Sequence, residues 1–195
     1  MFKLPPNEIF LKQKNTYDHQ RHLYVEAIKH CNQFRNAIDV GGHVGFFSSK
    51  MVKDFNHVYT FEPMFHSYVS ENIDASNITV YPLGLSDKKD SYRFNVREHH
   101  TGMSKIDKNG KHTINCDVLD NYNFTEIDLI KIDAENHEKF ILKGAIEFFK
   151  NNSPVIIIEI NDAATRKELL SNFKKQGYEL IKQDNADSIL KRNNL

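Results

Sequence analysis

The sequence predicts a doubly wound α/β fold, in which a mainly parallel, seven-stranded sheet carries helices on both faces and ends in a C-terminal antiparallel hairpin. Three observations support this prediction. Short apolar segments alternate with segments of helical periodicity along most of the chain. The segment VIIIEI at residues 155–160 is almost wholly apolar, as is typical of a parallel strand buried on both faces. The last two strand-like segments are separated only by DNAD, which is too short for a crossover and favours a hairpin.

Residues 1–35 are predicted to form an irregular N-terminal segment and then a helix, over about residues 18–33, that packs on the core. The apolar side chains of this helix recur at largely helical spacing; they are Tyr17, Leu23, Tyr24, Ala27, Ile28 and Cys31. Residues 36–195 are predicted to form the α/β domain itself. Its predicted strands are residues 37–40, 57–63, 78–86, 127–133, 155–160, 178–183 and 188–193. Its predicted helices are residues 45–55, 64–76, 137–151 and 163–176.

Two boundaries carry specific stop signals. Pro63 ends the second strand, because proline lacks a backbone N–H and suits the first turn of the following helix. Gly177 follows the last helix, where glycine commonly provides the C-terminal cap.

One helix is missing from the alternation. Residues 86–122 alternate polar and apolar side chains around Phe94 and Ile114, which predicts β excursions around a polar loop, inserted in the domain.

Length and composition fit a single globular domain. The chain has 195 residues, of which 39% are hydrophobic and 27% charged, so that it can bury roughly two thirds of its unfolded surface. Its 26 Lys and Arg balance its 26 Asp and Glu, and no net field draws it to nucleic acid or to an anionic membrane. No apolar segment is long enough for a signal peptide or a membrane span. Cys31 and Cys116 lack the spacing of a zinc site, so we expect free thiols and a soluble, cytoplasmic protein.

The segment AIDVGGHVG at residues 37–45 joins the first strand to its helix through a glycine loop, a common receiving point for a nucleotide-like ligand. In a doubly wound sheet this loop opens at the carboxyl edge, where ligands bind. A phosphate-binding P-loop requires GxxxxGK[ST], but Phe46 and Phe47 follow Gly45. A dinucleotide site requires GxGxxG, but His43 replaces the second glycine and Phe46 the third. The loop therefore argues against a nucleoside triphosphate and against a dinucleotide.

The acidic residues near this loop favour a different ligand. Glu62 ends the second strand, where a carboxylate can accept hydrogen bonds from both hydroxyls of a ribose. Asp39 is the next-to-last residue of the first predicted strand and Asp133 the last residue of the fourth, and their charges suit the ammonium and sulfonium groups of S-adenosylmethionine. The predicted cofactor is therefore S-adenosylmethionine, which presents adenosine without a pyrophosphate.

Seven segments, in order, resemble the FkbM-like family of class I S-adenosylmethionine-dependent methyltransferases over about residues 36–160. They are IDVGGHVG, TFEP, LGLSD, VLDNY, DLIKIDAENHE, LKGA and SPVIIIEI. The resemblance implies a Rossmann-like methyltransferase fold that ends in the same hairpin. Two loops depart from the family pattern: Gly42 and His43 stand where Ala-Asn is usual, and Glu135 and Asn136 where Glu-Gly is usual. Since asparagine tolerates a left-handed backbone, we expect the second turn to keep its shape.

The resemblance also implies which residues bind the cofactor. Carried over by position, they are Asp39, Gly41, Gly42, Gly45, Glu62, Pro63, Ser86, Asp87 and Asp133. Asp39 and the glycines would line the methionine end, Glu62 would hold the ribose, and Ser86 with Asp87 would lie near the adenine. Asp133 would close the site from the fourth strand.

The predicted reaction is methyl transfer to an oxygen of a sugar or small-molecule hydroxyl, as the family resemblance implies. A hydroxyl needs a base to take its proton. The candidate catalytic residues are Asp133, His99, His100 and His137. No metal site is predicted, because ENHEKF lacks the HExxH pattern, although Asp133 and Glu135 could share an ion.

The predicted partner is a small-molecule or saccharide acceptor, recognised by the N-terminal helix and residues 86–122; neither a membrane nor a nucleic acid is expected. A homodimer that completes the pocket is a further expectation. Two alternatives stay open. The atypical GGHVG and AENHE motifs would suit a non-catalytic adenosine-ligand sensor or assembly subunit. An NAD-dependent oxidoreductase is disfavoured by the broken GxGxxG pattern.

Overall fold

Helices and strands alternate through most of the structure, a computed structural model that describes residues 2–13 and 20–193. The helices in these ranges are α1 (Phe10–Gln13), α2 (Arg21–Ile28), α3 (Ser48–Asp54), α4 (His66–Asn72), α5 (Glu138–Lys143), α6 (Ile146–Asn151) and α7 (Ala163–Lys175). The strands there are β1 (Asn36–Val40), β2 (His57–Phe61), β3 (Ile78–Tyr81), β4 (Gly84–Leu85), β5 (Asp90–Asn95), β6 (Lys105–Ile106), β7 (His112–Asp117), β8 (Ile127–Ile132), β9 (Val155–Glu159), β10 (Tyr178–Asp184) and β11 (Asp187–Arg192).

The main sheet has seven strands in the order β10-β11-β9-β8-β1-β2-β3. β1 lies at its centre and pairs in parallel with β2 and β8. The parallel pairing continues outward from β2 to β3 and from β8 to β9. The predicted doubly wound, mainly parallel, seven-stranded sheet is therefore confirmed.

The C-terminal hairpin closes this sheet as predicted. β10 and β11 pair with each other in antiparallel orientation, and β11 also pairs with β9 in antiparallel orientation. The turn between them includes Asn185 with a φ of 54°, a left-handed conformation that asparagine tolerates better than most residues. β11 thus inserts between β9 and β10 and is the one strand of the described sheet that runs against the others.

The predicted excursion builds a second, four-stranded sheet in the order β4-β7-β5-β6. The prediction of one strand over residues 78–86 is wrong, because β3 ends before Pro82 and the chain changes sheets. Proline cannot donate to a strand ladder, so pairing with β2 stops there. Gly84 and Leu85 instead pair with Cys116 and Asp117 of β7.

The single helix predicted at residues 137–151 is also wrong, because it divides at Gly144 into α5 and α6. The Gly144 carbonyl accepts a hydrogen bond from the Asp120 N–H. The Asp120 carboxylate in turn accepts the N–H groups of Glu147 and Phe148, at 3.1 and 2.8 Å, in the first turn of α6. A Cβ atom at Gly144 would lie 2.2 Å from the backbone oxygen of Ser86. The absence of a side chain at Gly144 therefore lets its backbone pass close to the backbone of Ser86.

The helix predicted at residues 18–33 is shorter than expected at its C-terminal end. The start expected near residue 18 lies outside the described residues, and α2 ends at Ile28. The N–H groups of Lys29, His30 and Cys31 bond three residues back rather than four, which tightens the chain into turns.

Apolar side chains pack on both faces of the main sheet, and alternate residues of β9 supply the two cores. Ile156 and Ile158 join the core beneath α6 and α7. Val155 and Ile157 join the core on the opposite face, to which α2 contributes Leu23, Tyr24 and Ala27. A strand covered on both faces in this way explains why residues 155–160 are so rich in isoleucine.

Both cysteines are free thiols, as predicted. Burial raises the pKa of Cys31 and of Cys116 to about 12, which leaves each thiol protonated at neutral pH.

Among the described helices, none combines the length and the apolar character that a membrane crossing requires.

Candidate active site

A cavity of about 350 Å³ opens at the carboxyl ends of the central strands, at the edge where doubly wound sheets bind ligands. The strand ends are tied together there, since the Gly41 N–H donates to the Phe61 carbonyl. The glycine loop (residues 41–45) contributes to one wall, and the N-terminal segment with the Thr101 turn (residues 100–104) contributes to another. The second sheet supplies a third, largely apolar wall.

The glycine loop is packed too tightly for side chains at two positions. A Cβ atom at Gly41, where φ is +77°, would lie 1.9 Å from the backbone oxygen of Asp133. A Cβ atom at Gly42 would lie 2.4 Å from Cγ2 of Thr60. His43 follows in a left-handed conformation with a φ of 51°. The loop therefore curls against the ends of β2 and β8 and presents its backbone to the cavity.

Asp39 is fully buried behind the glycine loop. Its Oδ2 accepts hydrogen bonds from the N–H and the hydroxyl of Ser48, at 3.0 and 2.6 Å. Its Oδ1 lies 3.7 Å from the Lys131 ammonium. The carboxylate thus satisfies a backbone donor at the start of α3. Asp39 does not line the cavity itself, but it contacts Lys131, which does.

Glu62 holds the glycine loop to the segment that follows β2. Its Oε2 accepts the N–H of His43 at 2.8 Å, and its Oε1 accepts the N–H groups of Met64 and Phe65 at 2.8 and 2.9 Å. Burial raises the pKa of Glu62, and these three hydrogen bonds offset part of the increase. A carboxylate has about four acceptor positions, so Glu62 retains acceptor capacity at the cavity that it lines.

Lys131 places a buried ammonium in the floor of the cavity. It donates to the Gly41 carbonyl at 3.0 Å and forms an ion pair with Asp133 at 3.2 Å. The ammonium also lies 5.3 Å from the centre of the Phe47 ring, within cation–π range. Burial lowers the pKa of Lys131, but Asp133 and Asp39 raise it by more, so the side chain is charged. Lys131 therefore connects β8, the glycine loop and both predicted cofactor aspartates.

Three carboxyl groups form an acidic corner in the cavity. Asp133, Glu135 and Glu159 each place one oxygen within 4.8 Å of the others, a spacing that would suit a shared cation. Asp133 and Glu159 share a hydrogen bond, which requires one of the two to be protonated. Burial and the Asp133 charge raise the pKa of Glu159 to about 9 and that of Glu135 to about 7. For Asp133, burial raises the pKa, but Lys131, the hydrogen bond with Glu159 and His43 together lower it by more, so the shared proton resides on Glu159.

His137 is buried between the cavity and the second sheet. Its Nε2 lies 2.9 Å from the hydroxyl of Ser86, which in turn lies 3.0 Å from the hydroxyl of Tyr92. Burial lowers the pKa of His137, which favours the neutral ring. Asp87 is exposed and contacts the Ser86 hydroxyl at 3.3 Å.

The neighbouring histidines His99 and His100 have different surroundings. The His99 ring is exposed, and its Nδ1 lies 3.0 Å from the Asn7 carbonyl, so it faces the N-terminal segment. The His100 ring stacks on Phe10 with 3.9 Å between ring centres and lines the cavity. Its Nδ1 is buried and has no hydrogen-bond partner among the described residues.

Residues 39–180 match the family model of the methyltransferase FkbM domain. The match covers well over half of the chain and includes the glycine loop, Glu62 and the acidic corner. The chain belongs to the FkbM methyltransferase family. The resemblance inferred from the seven sequence segments is therefore confirmed. No curated protein sequence matches the chain.

Solved methyltransferase structures share the fold. An FkbM methyltransferase from Methylobacillus flagellatus KT superposes with a TM-score of 0.55 and 19% identity, over 80% of this chain and 42% of that one. This chain thus spans less than half the length of that relative. An S-adenosylmethionine-dependent O-methyltransferase from Thermotoga maritima gives 0.56 and 10% identity, over 90% and 66% of the two chains. TYW2 from M. jannaschii, solved in complex with AdoMet, gives 0.51 and 16%, over 98% and 82%.

Within this FkbM-type domain, the predicted site residues fall into two groups. Those that line the cavity are Gly41, Gly42, Glu62, Pro63, Asp133, His100 and His137. The others, Asp39, Gly45, Ser86, Asp87 and His99, are not among the described residues that line it. Asp39, Gly45 and Ser86 are buried, whereas Asp87 and His99 are exposed. The turn after β8 keeps a left-handed shape, with φ values of 50° at Glu135 and 77° at Asn136.

Four polar residues in or beside the cavity are not predicted from the sequence. Lys131 lies between isoleucines and Glu159 follows four apolar residues, and a charged residue type in such a strand needs a partner, so this signal could have identified both. Glu8 and Thr101 carry no comparable local signal. They become relevant only because the fold brings two distant segments against the glycine loop.

Proposed function

We propose that the chain transfers the methyl group of S-adenosylmethionine to a hydroxyl oxygen of a sugar or a small molecule. The observation that carries this proposal is the position of the glycine loop between Glu62 and the acidic corner. The loop presents backbone, Glu62 offers an acceptor for ribose hydroxyls, and the carboxyl oxygens of the acidic corner can accept hydrogen bonds from an ammonium group of the ligand. A pyrophosphate would meet carboxylates there rather than an anion-binding loop.

The residues present fit this cofactor. Gly41 and Gly42 leave no room for side chains, which keeps the backbone of the loop close to any ligand in the cavity. Membership of the FkbM family and the AdoMet complex of the similar TYW2 structure support the same cofactor. When bound, S-adenosylmethionine supplies a methyl group on a positively charged sulfur. The protein holds the acceptor in line with it, and such alignment can contribute about 7–11 kcal/mol to the acceleration.

The acceptor hydroxyl must lose its proton, and the site limits which residue can take it. Asp133 is a weak base, since its pKa is held low by Lys131. His99 contacts the N-terminal segment instead of the cavity. His100 and His137 line the cavity, and Glu135, with a pKa near 7, is suited to proton transfer at neutral pH. We therefore propose His100 and His137 as the leading bases, with Glu135 as the third candidate.

The acceptor is proposed to lie against the wall formed by the second sheet and the N-terminal segment. This wall presents apolar side chains, among them Phe10, Phe94, Met103 and Ile114. Surfaces of this kind pack against the carbon skeleton of a ligand while a few polar groups orient it. A hydroxyl on a ring or short chain could then face the acidic corner.

Labelled cofactor provides the test. The purified protein is incubated with S-adenosylmethionine carrying a labelled methyl group and with saccharide and metabolite extracts, and labelled products are identified by mass spectrometry. Transfer to a hydroxyl supports the proposal. Binding of the cofactor without transfer to any acceptor would favour the sensor, and co-purified nicotinamide dinucleotide would favour the oxidoreductase.

A further inference from the structure

Glu8 is fully buried, although it lies on the irregular N-terminal segment. Its Oε1 accepts the N–H of Leu11 at 3.0 Å. Its Oε2 accepts both the N–H and the hydroxyl of Thr101, at 2.6 and 2.5 Å. Burial raises the pKa of Glu8, but the hydrogen bonds from Thr101 and Leu11 lower it by more, so the side chain is an ionised acceptor. A buried carboxylate held by three donors fixes the Thr101 turn to the N-terminal segment.

This arrangement determines the direction of the next hydrogen bond. The hydroxyl of Thr101 also lies 2.9 Å from Nε2 of His43. A threonine hydroxyl has one proton, and that proton is given to the Glu8 carboxylate, which cannot donate. Thr101 can therefore only accept from His43. It follows that Nε2 of His43 carries a hydrogen, and that a ring with a single hydrogen has its lone pair on Nδ1.

His43 in turn belongs to the glycine loop. Its backbone N–H donates to Glu62 at 2.8 Å, and its ring packs edge-on against Phe65 with 5.1 Å between ring centres. Hydrogen bonds thus link Glu8 to Thr101 and Thr101 to the His43 ring, and the backbone N–H of His43 links the same residue to Glu62. These bonds join the acceptor-side wall of the cavity, formed by the N-terminal segment, the Thr101 turn and the second sheet, to the carboxylate proposed to bind ribose.

Other contacts make the N-terminal segment and the Thr101 turn one unit. The N–H groups of Ile9 and Phe10 both donate to the His99 carbonyl, at 3.1 and 3.0 Å. The stacked rings of Phe10 and His100 add an apolar contact beside them. Displacement of Thr101 would therefore move much of the wall against which the acceptor is proposed to lie.

We propose that Glu8 and Thr101 are positioning residues for methyl transfer: they hold the His43 ring in its Nε2–H form and align the acceptor-side wall with the glycine loop. The proposal rests on the proposed function for its effect on turnover, but its effect on His43 is a property of the free protein. Glu8 and Thr101 act through His43 and the wall, not on the reacting atoms.

Thr101→Val provides the main test, because it removes the hydroxyl with little change in shape. Ring nitrogens are observed by NMR in the ¹⁵N-histidine-labelled protein, and the His43 signals are assigned by their loss in His43→Asn. We expect Nε2 to be protonated in the wild type and this single form to be lost in Thr101→Val. We expect turnover to fall about tenfold while cofactor affinity changes less than about twofold, since the half-buried Nε2–H of His43 loses its acceptor and the contact of the His43 backbone with Glu62 remains. Thr101→Ser should restore both readouts.

Glu8→Gln gives an independent variant in case Thr101→Val fails to fold. The amide of the new side chain can donate to Thr101, so the threonine proton becomes free to point at His43. We expect a measurable population of the Nδ1–H form in this variant. Matched controls are Thr113→Val and Glu98→Gln, which replace exposed residues of the second sheet and of the loop after β5 and should change neither readout.

The outcomes separate the inference from the proposed function. An Nδ1–H form of His43 in the wild type, or wild-type ring signals and turnover in both Thr101→Val and Glu8→Gln, would overturn the inference. Absence of cofactor binding and of methyl transfer in the wild type would overturn the proposed function. The NMR measurement would still decide the inference in that case, because it requires no turnover.

Discussion

The ammonium of Lys131 lies 3.2 Å from a carboxylate oxygen of Asp133, and the same nitrogen donates to the carbonyl of Gly41. This contact sets the charge distribution of the site. It keeps Asp133 ionised, and the negative charge of Asp133 in turn raises the pKa of Glu135 and Glu159. One lysine on a buried strand thus organises both the shape of the glycine loop and the protonation of the acidic corner.

Lys131→Met is expected to destabilise the fold by about 3 kcal/mol, because it leaves the buried Asp39 and the half-buried Asp133 without their counter-charge. Urea unfolding measures the loss. Lys139→Met is the matched control: Lys139 pairs with Glu168 on the surface, with both side chains at least 40% exposed, and its loss should cost less than about 1 kcal/mol. Equal, small effects of the two variants would show that the buried ion pair has no special importance.

Gly41→Ala is expected to cost about 3 kcal/mol or to prevent folding, because the new methyl group would meet the Asp133 carbonyl in a left-handed backbone. Gly102→Ala is the control, since no atom lies within 4 Å of a Cβ placed there. Its stability should stay within about 0.5 kcal/mol of the wild type. Thermal unfolding of the two variants compares them directly, and a stable Gly41→Ala protein would contradict the close packing of this loop.

Glu159 predicts a pH dependence of stability. Its pKa is about 9 in the folded protein and about 4.3 in an unfolded chain, so between these values only the folded state holds the proton. This group therefore lowers stability as pH rises, by at most about 1.4 kcal/mol per pH unit. Residue 159 cannot titrate in Glu159→Gln. The unfolding free energy of this variant, minus that of the wild type, should therefore increase from pH 5 to pH 8. The exposed variant Glu168→Gln should show no such gain; a constant difference between Glu159→Gln and the wild type would refute the assignment.

His100→Phe is expected to keep the stack on Phe10 while it removes the ring nitrogens. If His100 is the base, turnover should fall by about 10² or more while cofactor affinity stays nearly unchanged. His99→Gln should have a smaller effect on turnover, because His99 faces Asn7. Unchanged turnover in His100→Phe would exclude His100 as the base, and lost cofactor binding would contradict its place on the acceptor side.

The sequence was a good guide to the main sheet, because hydrophobic periodicity and short connections determine which strands are parallel. It was a poor guide where the signal depends on tertiary contacts. The apolar pattern predicts one strand that includes Pro82, whereas the structure has β3 before Pro82 and β4 after it, with β4 paired to β7. The role of Asp120 as a cap for α6 could not be read from a local pattern, since it lies 27 residues away from Glu147.

In the candidate site, too, some residues follow from local sequence patterns, whereas others depend on tertiary contacts. The glycine loop and Glu62 follow from their positions after β1 and β2, which the alternation of elements predicts. The contact between Thr101 and His43 spans 58 residues and depends on how the second sheet folds back over the cavity. Spacing alone also could not separate His99 from His100, because adjacent residues in a turn can face opposite directions.

A crystal structure of the protein with S-adenosylhomocysteine, the demethylated cofactor, is the decisive test of the proposed cofactor site. We expect the ligand to lie in the cavity, with its ribose hydroxyls hydrogen-bonded to Glu62 and its amino acid end beside the glycine loop. An empty cavity at saturating ligand, or a ribose bound away from the end of β2, would contradict it.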